Sequence, residues 1–121
     1  MGATDHRTAR VAPHPRDATP KTAAATAVAL LESQCDHFLV HFDVDVIDFT
    51  DAPLSENTGR NQGLSFDQAF AALRVVLASD RLAALTITEL NPDHGAEDGA
   101  TLARFVNALV DALAGAAGID R

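Results

Sequence analysis

The sequence predicts an α/β fold in which helices alternate with parallel strands. Residues 38–42 form a short, almost continuously apolar run that ends at Asp43, a pattern typical of a strand buried on both faces of a parallel sheet. Residues 82–90 form a second run of this kind, which Asn91 and Pro92 terminate. Apolar residues at helical spacing lie between the two runs and after the second one. This order predicts one right-handed crossover unit, in which a helix connects two parallel strands.

The helix between the strands has a clear start in the sequence. Ser65 and Gln68 have the spacing of a capping box, in which each side chain satisfies the other residue's free backbone N–H. The helix that follows presents one apolar face, formed by Phe66, Phe70, Leu73 and Leu77. We expect this face to pack against the sheet.

Helices are also predicted on either side of this unit. Residues 22–31 are rich in Ala and are predicted to form a short helix, with Thr19 or Thr22 as its N-cap. The last helix has apolar residues at helical spacing, which are Leu102, Phe105, Val106, Leu109 and Leu113. Gly115 is predicted to end it, because glycine is common just after a helix C-terminus.

Segments without periodicity define the domain organisation. Residues 1–20 contain Pro13, Pro15 and Pro20 among scattered charges, and we interpret them as a poorly ordered lead-in. Residues 21–118 are predicted to belong to one α/β domain. Two parallel strands alone leave both edges of the sheet unpaired. The chain is therefore predicted to be an incomplete domain.

Charge and cysteine content exclude several classes of protein. The formal net charge of −8 repels phosphate backbones, so nucleic acid is not predicted as a partner. Acidic residues gathered at a site would instead attract metal ions or cationic substrates. The single cysteine, Cys35, excludes an internal disulfide, and we interpret it as a buried thiol. No apolar stretch has membrane-spanning length or the form of a secretory signal, which predicts a cytoplasmic protein without a membrane partner.

Carboxylates follow both predicted strands, where functional groups collect in open α/β sheets. Asp43 and Asp45 come after the first strand, and Glu89 is at the end of the second. Side chains alternate in an extended segment, so Asp43 and Asp45 are expected to point the same way. Two carboxylates this close are costly unless a cation lies between them, and a divalent ion with oxygen ligands is one solution. The alternative is that they cap the loop by accepting hydrogen bonds from backbone N–H groups.

Two other classes of protein also contain an Asp-x-Asp motif. A calcium loop needs further oxygen ligands and a glycine, but Ile47 and Asp48 occupy the positions that follow. A phosphatase of the haloacid-dehalogenase class remains an alternative, because its first motif resembles this strand with Asp43 as the nucleophile. Those enzymes use a downstream basic residue, usually Lys. The one lysine here, Lys21, lies upstream, which counts against the phosphatase.

Four short motifs occur in sequence between Phe38 and Leu113. They are Phe42-Asp43-Val44-Asp45-Val46-Ile47-Asp48, Thr58-Gly59, Gly63-Leu64-Ser65-Phe66 and Thr88-Glu89-Leu90-Asn91-Pro92. They resemble the Ser-Phe-Asp-x-Asp-x-x-Asp-Pro signature, the Thr-Gly loop, the Gly-Gly-Leu helix start and the Glu-Val-Asn-Pro strand end of the ureohydrolases, the family of arginase, agmatinase and formiminoglutamase. By these motifs the chain resembles the C-terminal portion of such an enzyme.

The resemblance implies a partial three-layer α/β/α arginase-like fold and a metal-dependent amidine hydrolase. It implies that Asp43 bridges two Mn²⁺ ions, that Asp45 binds mainly one of them, and that Glu89 is the catalytic and substrate-binding acid. A Mn-bridged hydroxide would then attack a guanidino or formimino substrate and release urea or a related amide. Asp48, the third acid of the signature, is expected to form structural hydrogen bonds rather than bind metal.

Several positions depart from the family pattern. His41 replaces the usual Ser and is expected to be a core histidine or a support for a metal ligand. Phe49 replaces the signature Pro, and Gln62 replaces the first Gly of the helix start. The histidine ligands that the family draws from its N-terminal half have no counterpart here, and His37 and His94 are expected to stand alone.

Two functional hypotheses therefore remain open. The chain is either part of a ureohydrolase, which needs a complementing N-terminal half, or a degenerate, non-catalytic binding or assembly partner. A homo-oligomer is a further candidate assembly. The sequence leaves the substrate open among arginine, agmatine, formimino compounds and other guanidines.

Overall fold

Two parallel strands, three α-helices and two short 3-10 helices are the regular elements in the part of the chain that the structure describes. This computed structural model describes residues 19–59, 62–95 and 99–117. The elements are α1 (Pro20–Gln34), β1 (Phe38–Asp43), α2 (Phe66–Leu77), β2 (Leu82–Thr88) and α3 (Ala100–Ala117). The α/β class with parallel strands and flanking helices is confirmed. Most of the predicted lead-in, residues 1–18, lies outside the described ranges.

The two strands form one parallel ladder. Phe38 pairs with Leu82 at its start and Asp43 pairs with Thr88 at its end, with one irregularity after Phe38. Parallel pairing brings the carboxyl ends of both strands to the same edge of the sheet. The segments that follow β1 and β2 therefore start next to each other at this edge.

Phe70 lies at the centre of the hydrophobic core. Its side chain is 2% exposed, and its ring centroid lies 4.7 Å from that of Phe66, 5.6 Å from Phe105 and 5.9 Å from Phe42. These rings come from α2, α3 and β1, so one side chain joins both helices to the sheet. The four predicted apolar positions of α2 are all buried, which confirms the periodicity of that helix.

One face of the sheet is exposed in the described structure, so the prediction of strands buried on both faces was wrong. Leu39 is 74% exposed, and His41 and Thr86 are also exposed. On the opposite face, Val40 and Phe42 pack against the core. The apolar runs would suit a sheet covered on both sides, but α2 and α3 contribute their buried side chains to a single core.

A capping box begins both α1 and α2; the sequence predicted the box of α2 and, for α1, only a cap at Thr19 or Thr22. Thr19 and Thr22 satisfy each other's backbone N–H at the start of α1, with Pro20 as the first helical residue. Ser65 and Gln68 do the same at the start of α2. These local signals are readable in sequence because each box needs only residues that are three positions apart.

Arg81 attaches the end of α1 to the start of β2. Its guanidinium donates hydrogen bonds to the carbonyl oxygens of Glu32 and Cys35, the latter at 3.1 Å. The Glu32 carboxylate accepts a hydrogen bond from the Ser79 hydroxyl at 2.8 Å. A cation at a helix C-terminus satisfies free carbonyls and complements the helix dipole. Cys35 is the C-cap of α1 and is half-buried, and its thiol donates to the Leu31 carbonyl.

The prediction that Gly115 ends the last helix was wrong, because α3 continues to Ala117. A glycine stop requires a left-handed backbone, and Gly115 does not have a φ in that region. Of the predicted apolar positions of α3, Phe105 is buried, but Val106 is 46% and Leu113 44% exposed. The helix thus has apolar side chains that are exposed in addition to those that pack in the core. No helix within the described ranges is long and apolar enough to cross a membrane.

We predict that Gly115→Ala stabilises the chain by about 0.5 kcal/mol, because alanine loses less backbone entropy in a helix and this position is near the helix end. An added Cβ at Gly115 has no atom within 4 Å. Gly99→Ala is the matched control: its Cβ also has open space, but its φ of +78° is unfavourable for alanine. Chemical denaturation should show a higher midpoint for the first variant and a lower one for the second. Destabilisation by Gly115→Ala would contradict the helical assignment.

Candidate functional site

Asp43 and Glu89 lie at the same edge of the sheet. Asp43 is the last residue of β1 and pairs with Thr88, the last residue of β2. Glu89 follows Thr88 directly. Both acids thus lie at the carboxyl ends of the strands, where open α/β sheets place functional groups.

Asp43 and Asp45 are not related by the alternation expected of an extended segment. The chain turns directly after β1 into a 3-10 helix, Val44–Val46, and Asp43 caps it by accepting a hydrogen bond from the Asp45 N–H at 2.8 Å. Core burial explains the turn, because Val44 and Ile47 are both fully buried. Residues three apart lie on one side of a 3-10 helix, so the turn directs both apolar side chains into the core.

The Asp45 carboxylate binds the long loop. Its Oδ1 accepts a hydrogen bond from the backbone N–H of Asn57 at 3.3 Å. Both acids of the Asp-x-Asp pair therefore accept backbone hydrogen bonds, as the capping alternative in the sequence had anticipated. Among the described residues these bonds use one oxygen of each carboxylate.

The described residues do not form a metal site by themselves. No group of three His, Cys, Asp or Glu side chains in the described ranges is placed to hold an ion. Asp43 and Asp45 have the oxygen chemistry that hard divalent cations prefer. Two carboxylates, each already bonded to a backbone N–H, are nevertheless too few for a dinuclear centre.

His41 lies on the exposed face of the sheet. It is therefore not a core histidine. Its Nε2 lies 2.9 Å from the Thr88 hydroxyl and its Nδ1 lies 3.2 Å from the Thr86 hydroxyl. The ring thus bridges β1 to β2 beside the end of the sheet. Both ring nitrogens are engaged by hydroxyl groups in this arrangement.

Glu89 has an unusual backbone conformation. Its φ is +62°, and it is the one non-glycine residue with positive φ in the described ranges. Such a conformation costs on the order of 1–3 kcal/mol and persists only where surrounding contacts impose it. The Glu89 carbonyl accepts a hydrogen bond from the Glu56 N–H at 2.8 Å, and the Asn91 N–H donates to the Leu54 carbonyl at 2.6 Å. These bonds flank the antiparallel bridge between Ser55 and Leu90.

Asp48 forms structural hydrogen bonds, as expected. Its Oδ1 accepts hydrogen bonds from the Thr50 hydroxyl at 2.7 Å and the Thr50 N–H at 2.9 Å. The Thr50 hydroxyl, followed by its N–H, lowers the pKa of the Asp48 carboxyl from its usual value. Nearby, Asp51 accepts a hydrogen bond from the Phe66 N–H at 2.6 Å and so joins this loop to the start of α2.

Gly63 allows two loop segments to approach closely. The Asp48 N–H donates to the Leu64 carbonyl at 2.7 Å, and the Leu64 N–H donates to the Val46 carbonyl at 2.8 Å. A Cβ at Gly63 would lie 2.5 Å from the Val46 oxygen and 2.8 Å from the Asp48 nitrogen. The glycine of the helix-start motif is therefore required by backbone contact with the Asp-x-Asp segment.

Sequence reasoning missed the residues that fasten the loop to the sheet edge. Ser55, 1% exposed, and Glu56 pair with the residues after β2. His94, expected to stand alone, lies with its Nδ1 2.8 Å from the Ser55 carbonyl. A signal was present in the Asn-Pro-Asp-His sequence, where a turn places the histidine three residues after the strand-ending Asn91.

Known proteins resemble this chain in sequence and in fold. The chain matches the family model described as Arginase family over residues 6–115. The formimidoylglutamase of Bacillus subtilis subsp. subtilis str. 168 has a similar structure, with a TM-score of 0.66 and 22% identity over 83% of this chain and 31% of that one. Arginase from Bacillus caldovelox gives a TM-score of 0.65 and 19% identity over 78% of this chain and 30% of that one.

Helicobacter pylori arginase is also similar, with a TM-score of 0.54 and 25% identity over 68% of this chain and 28% of that one. These similarities confirm an arginase-like fold. The chain spans about 30% of the length of the similar solved structures. No protein of curated function matches it in sequence.

We predict that Glu89→Gly is more stable than Glu89→Ala by about 1 kcal/mol in the free energy of unfolding, because glycine adopts positive φ without strain. Glu89→Gly should therefore unfold at a higher denaturant concentration. Both variants lack the carboxylate, so the comparison isolates the backbone. The same pair at Glu56, where φ is not positive, is the control and should show the opposite order. Equal stability of the two Glu89 variants would mean that the conformation is not strained.

We also predict that Gly63→Ala destabilises the chain by about 2 kcal/mol, because the added methyl group overlaps backbone atoms that cannot move independently. Gly59→Ala is the matched control in the same loop, since its Cβ would meet its nearest atom at an ordinary 3.5 Å. Denaturation midpoints measure the difference. A Gly63→Ala variant as stable as Gly59→Ala would contradict the close approach.

Proposed function

Because the chain belongs to the arginase family, we propose that it contributes one part of a ureohydrolase site that acts on linear amidines. The parallel register carries this proposal, since it pairs Asp43 with the residue before Glu89. The proposed metal ligands, Asp43 and Asp45, and the proposed substrate-binding acid, Glu89, then lie at one edge of the sheet. The family membership supports the class of reaction, the sequence motifs suggest the residue roles, and the register supports a shared edge for these residues.

In this proposal Glu89 binds the substrate. A guanidinium or amidinium group is planar and cationic, and a carboxylate can accept two parallel N–H hydrogen bonds from it. The backbone pairing with Glu56 fixes the origin of the Glu89 side chain. A carboxylate held in this way orients the amidine carbon and reduces the entropy lost on binding.

Asp43 and Asp45 are proposed as Mn²⁺ ligands, with the remaining ligands supplied from outside the described residues. Divalent ions of this kind acidify a bound water for hydrolysis. The described residues do not provide a ligand set for a metal ion by themselves. A complementing N-terminal half is the proposed source of the missing ligands. The chain spans about 30% of the length of the similar structures.

The proposed substrate is a small guanidino or formimino compound. The similar formimidoylglutamase and arginases share the fold at 19–25% identity, and the choice between their substrate types stays open. A cytoplasmic location and a homo-oligomer remain part of the proposal.

A second candidate is a non-catalytic binding or assembly partner. Its support is that each acid of the Asp-x-Asp pair accepts a backbone hydrogen bond that stabilises the turn or the loop. In that case the motif survives because it folds the loop. The two candidates differ in whether Asp43 contributes to metal binding when a complementing half is present.

We predict that the 121-residue chain alone binds Mn²⁺ weakly and does not hydrolyse guanidines, because its ligand set is incomplete. Adding the N-terminal half of a full-length relative should produce metal binding and release of urea or ammonia. In that complex Asp43→Ala should abolish both, whereas Glu89→Ala should spare the metal and raise KM. Titration calorimetry and a product-release assay across guanidines measure these outcomes.

Asp48→Asn is the control for a carboxylate in the same segment, and it should leave metal affinity unchanged because its Oδ1 acceptor is retained. Metal affinity that does not respond to Asp43→Ala would favour the non-catalytic partner. Tight binding of two ions by the chain alone would contradict the incomplete ligand set.

A further inference from the structure

His94 contacts the loop that passes beside Glu89. It is half-buried and ends the 3-10 turn Pro92–His94, whose N-cap is Asn91. The ring reaches back across the loop, so that its Nδ1 lies 2.8 Å from the carbonyl oxygen of Ser55. Phe49 packs edge-on against the same ring, with centroids 6.0 Å apart.

Two contacts determine the same protonation state of the ring. A carbonyl oxygen only accepts hydrogen bonds, so Nδ1 of His94 must carry the proton that Ser55 accepts. The Asn91 amide oxygen accepts from the Asp93 N–H at 3.0 Å, which leaves its Nδ2 donor group facing Nε2 of His94 at 3.4 Å. Nε2 must therefore be an acceptor, and the ring is the neutral Nδ1–H tautomer.

The loop segment that His94 contacts fixes two acids of the site. Within residues 54–57, the Glu56 N–H holds the Glu89 carbonyl and the Asn57 N–H holds the Asp45 carboxylate. The Ser55 hydroxyl donates to the Asn57 carbonyl at 3.1 Å. Displacement of the Ser55 carbonyl would therefore disturb both acids at once.

Glu56 connects the same network from the other side. Its Oε2 accepts a hydrogen bond from Asn91 Nδ2 at 2.8 Å, the atom that also faces His94. The Asn91 backbone N–H donates to the Leu54 carbonyl at 2.6 Å. The turn after β2 thus holds the loop by backbone and side-chain bonds together.

We propose that His94 is a positioning residue: as the neutral Nδ1–H tautomer it holds the Ser55 carbonyl, and through the loop it sets the positions of Glu89 and Asp45. This inference rests on the proposed function for its catalytic meaning. Its structural content, the tautomer and the fastening of the loop, is independent of any substrate.

The tautomer is measurable on the 121-residue chain by ¹⁵N–¹H correlation of the histidine rings in mildly alkaline buffer, where imidazole is neutral. His94 is expected to show a protonated Nδ1 and an unprotonated Nε2. His37, an exposed histidine in the described chain, is the internal reference for an imidazole free to choose its tautomer. An Nε2–H tautomer at His94 would overturn the proposal, because Nδ1 could then not donate to Ser55.

Two substitutions separate positioning from packing. His94→Asn retains a donor at the place of Nδ1, and His94→Phe retains the ring volume without any donor. Hydrogen exchange at the Glu56 and Asn91 N–H groups should be about tenfold faster in His94→Phe, the effect of one lost hydrogen bond, and near wild type in His94→Asn. Exchange at Leu73 in α2 should not change. Equal exchange in both variants, or an equal rise throughout α2, would contradict a local positioning role.

In a catalytically active complex with an N-terminal half, His94→Phe should raise KM for the guanidine about tenfold with a smaller change in kcat, and His94→Asn should restore most of the loss. An inactive complex that retains the Nδ1–H tautomer and the local exchange pattern would reject the proposed function and leave the fastening role intact. An active complex in which His94→Phe has unchanged KM would overturn the role of His94 in the site.

Discussion

The short antiparallel pairing of residues 54–56 with residues 89–91 is the constraint on which the candidate site depends. It lies at the edge of the sheet, directly beyond the parallel ladder, and it connects the long loop after β1 to the turn after β2. The strained backbone of Glu89 is held within this pairing. Without it, the loop would lose its contact with the strand end, and Asp45 would lose a neighbour that bonds its carboxylate.

The acids at this edge have a structural role that does not depend on the proposed chemistry. Asp43 caps the turn that buries Val44 and Ile47, so its carboxylate stabilises the core through local geometry. One oxygen of a carboxylate suffices for a backbone cap, and the other can bind a cation. A signature acid can therefore persist for structural reasons alone. This double use is why the choice between a hydrolase part and a non-catalytic partner depends on metal binding rather than on the presence of the motif.

The uncovered sheet face agrees with an arginase-like fold of which this chain spans a part. Leu39 is exposed on a strand whose apolar composition suits burial on both sides, and α3 has exposed Val106 and Leu113. The similar solved structures are about three times longer than the segment they share with this chain. The chain thus contains one crossover unit with its own aromatic core, centred on Phe70. A proposed partner segment would cover the exposed face of the sheet and the exposed apolar side chains of α3.

The sequence by itself determined the features that depend on near neighbours. The capping box of α2, its apolar face, the two strands and their parallel order could all be predicted, because propensity, capping and periodicity act over a few residues. The motifs also identified the family, and the position of Asp43 and Glu89 at the ends of the predicted strands indicated the edge of the sheet at which they lie.

Tertiary structure decided the rest, because distant segments compete for the same core and the same hydrogen bonds. Burial of Val44 and Ile47 replaced the expected extended segment by a 3-10 turn. The continuation of α3 through Gly115 could not be predicted, because glycine occurs both at helix ends and within helices. The positive φ of Glu89 and the contact of His94 with Ser55 arise from pairing across more than thirty residues. The Asn-Pro-Asp-His sequence predicts a local turn, but it does not specify the distant residue that the histidine contacts.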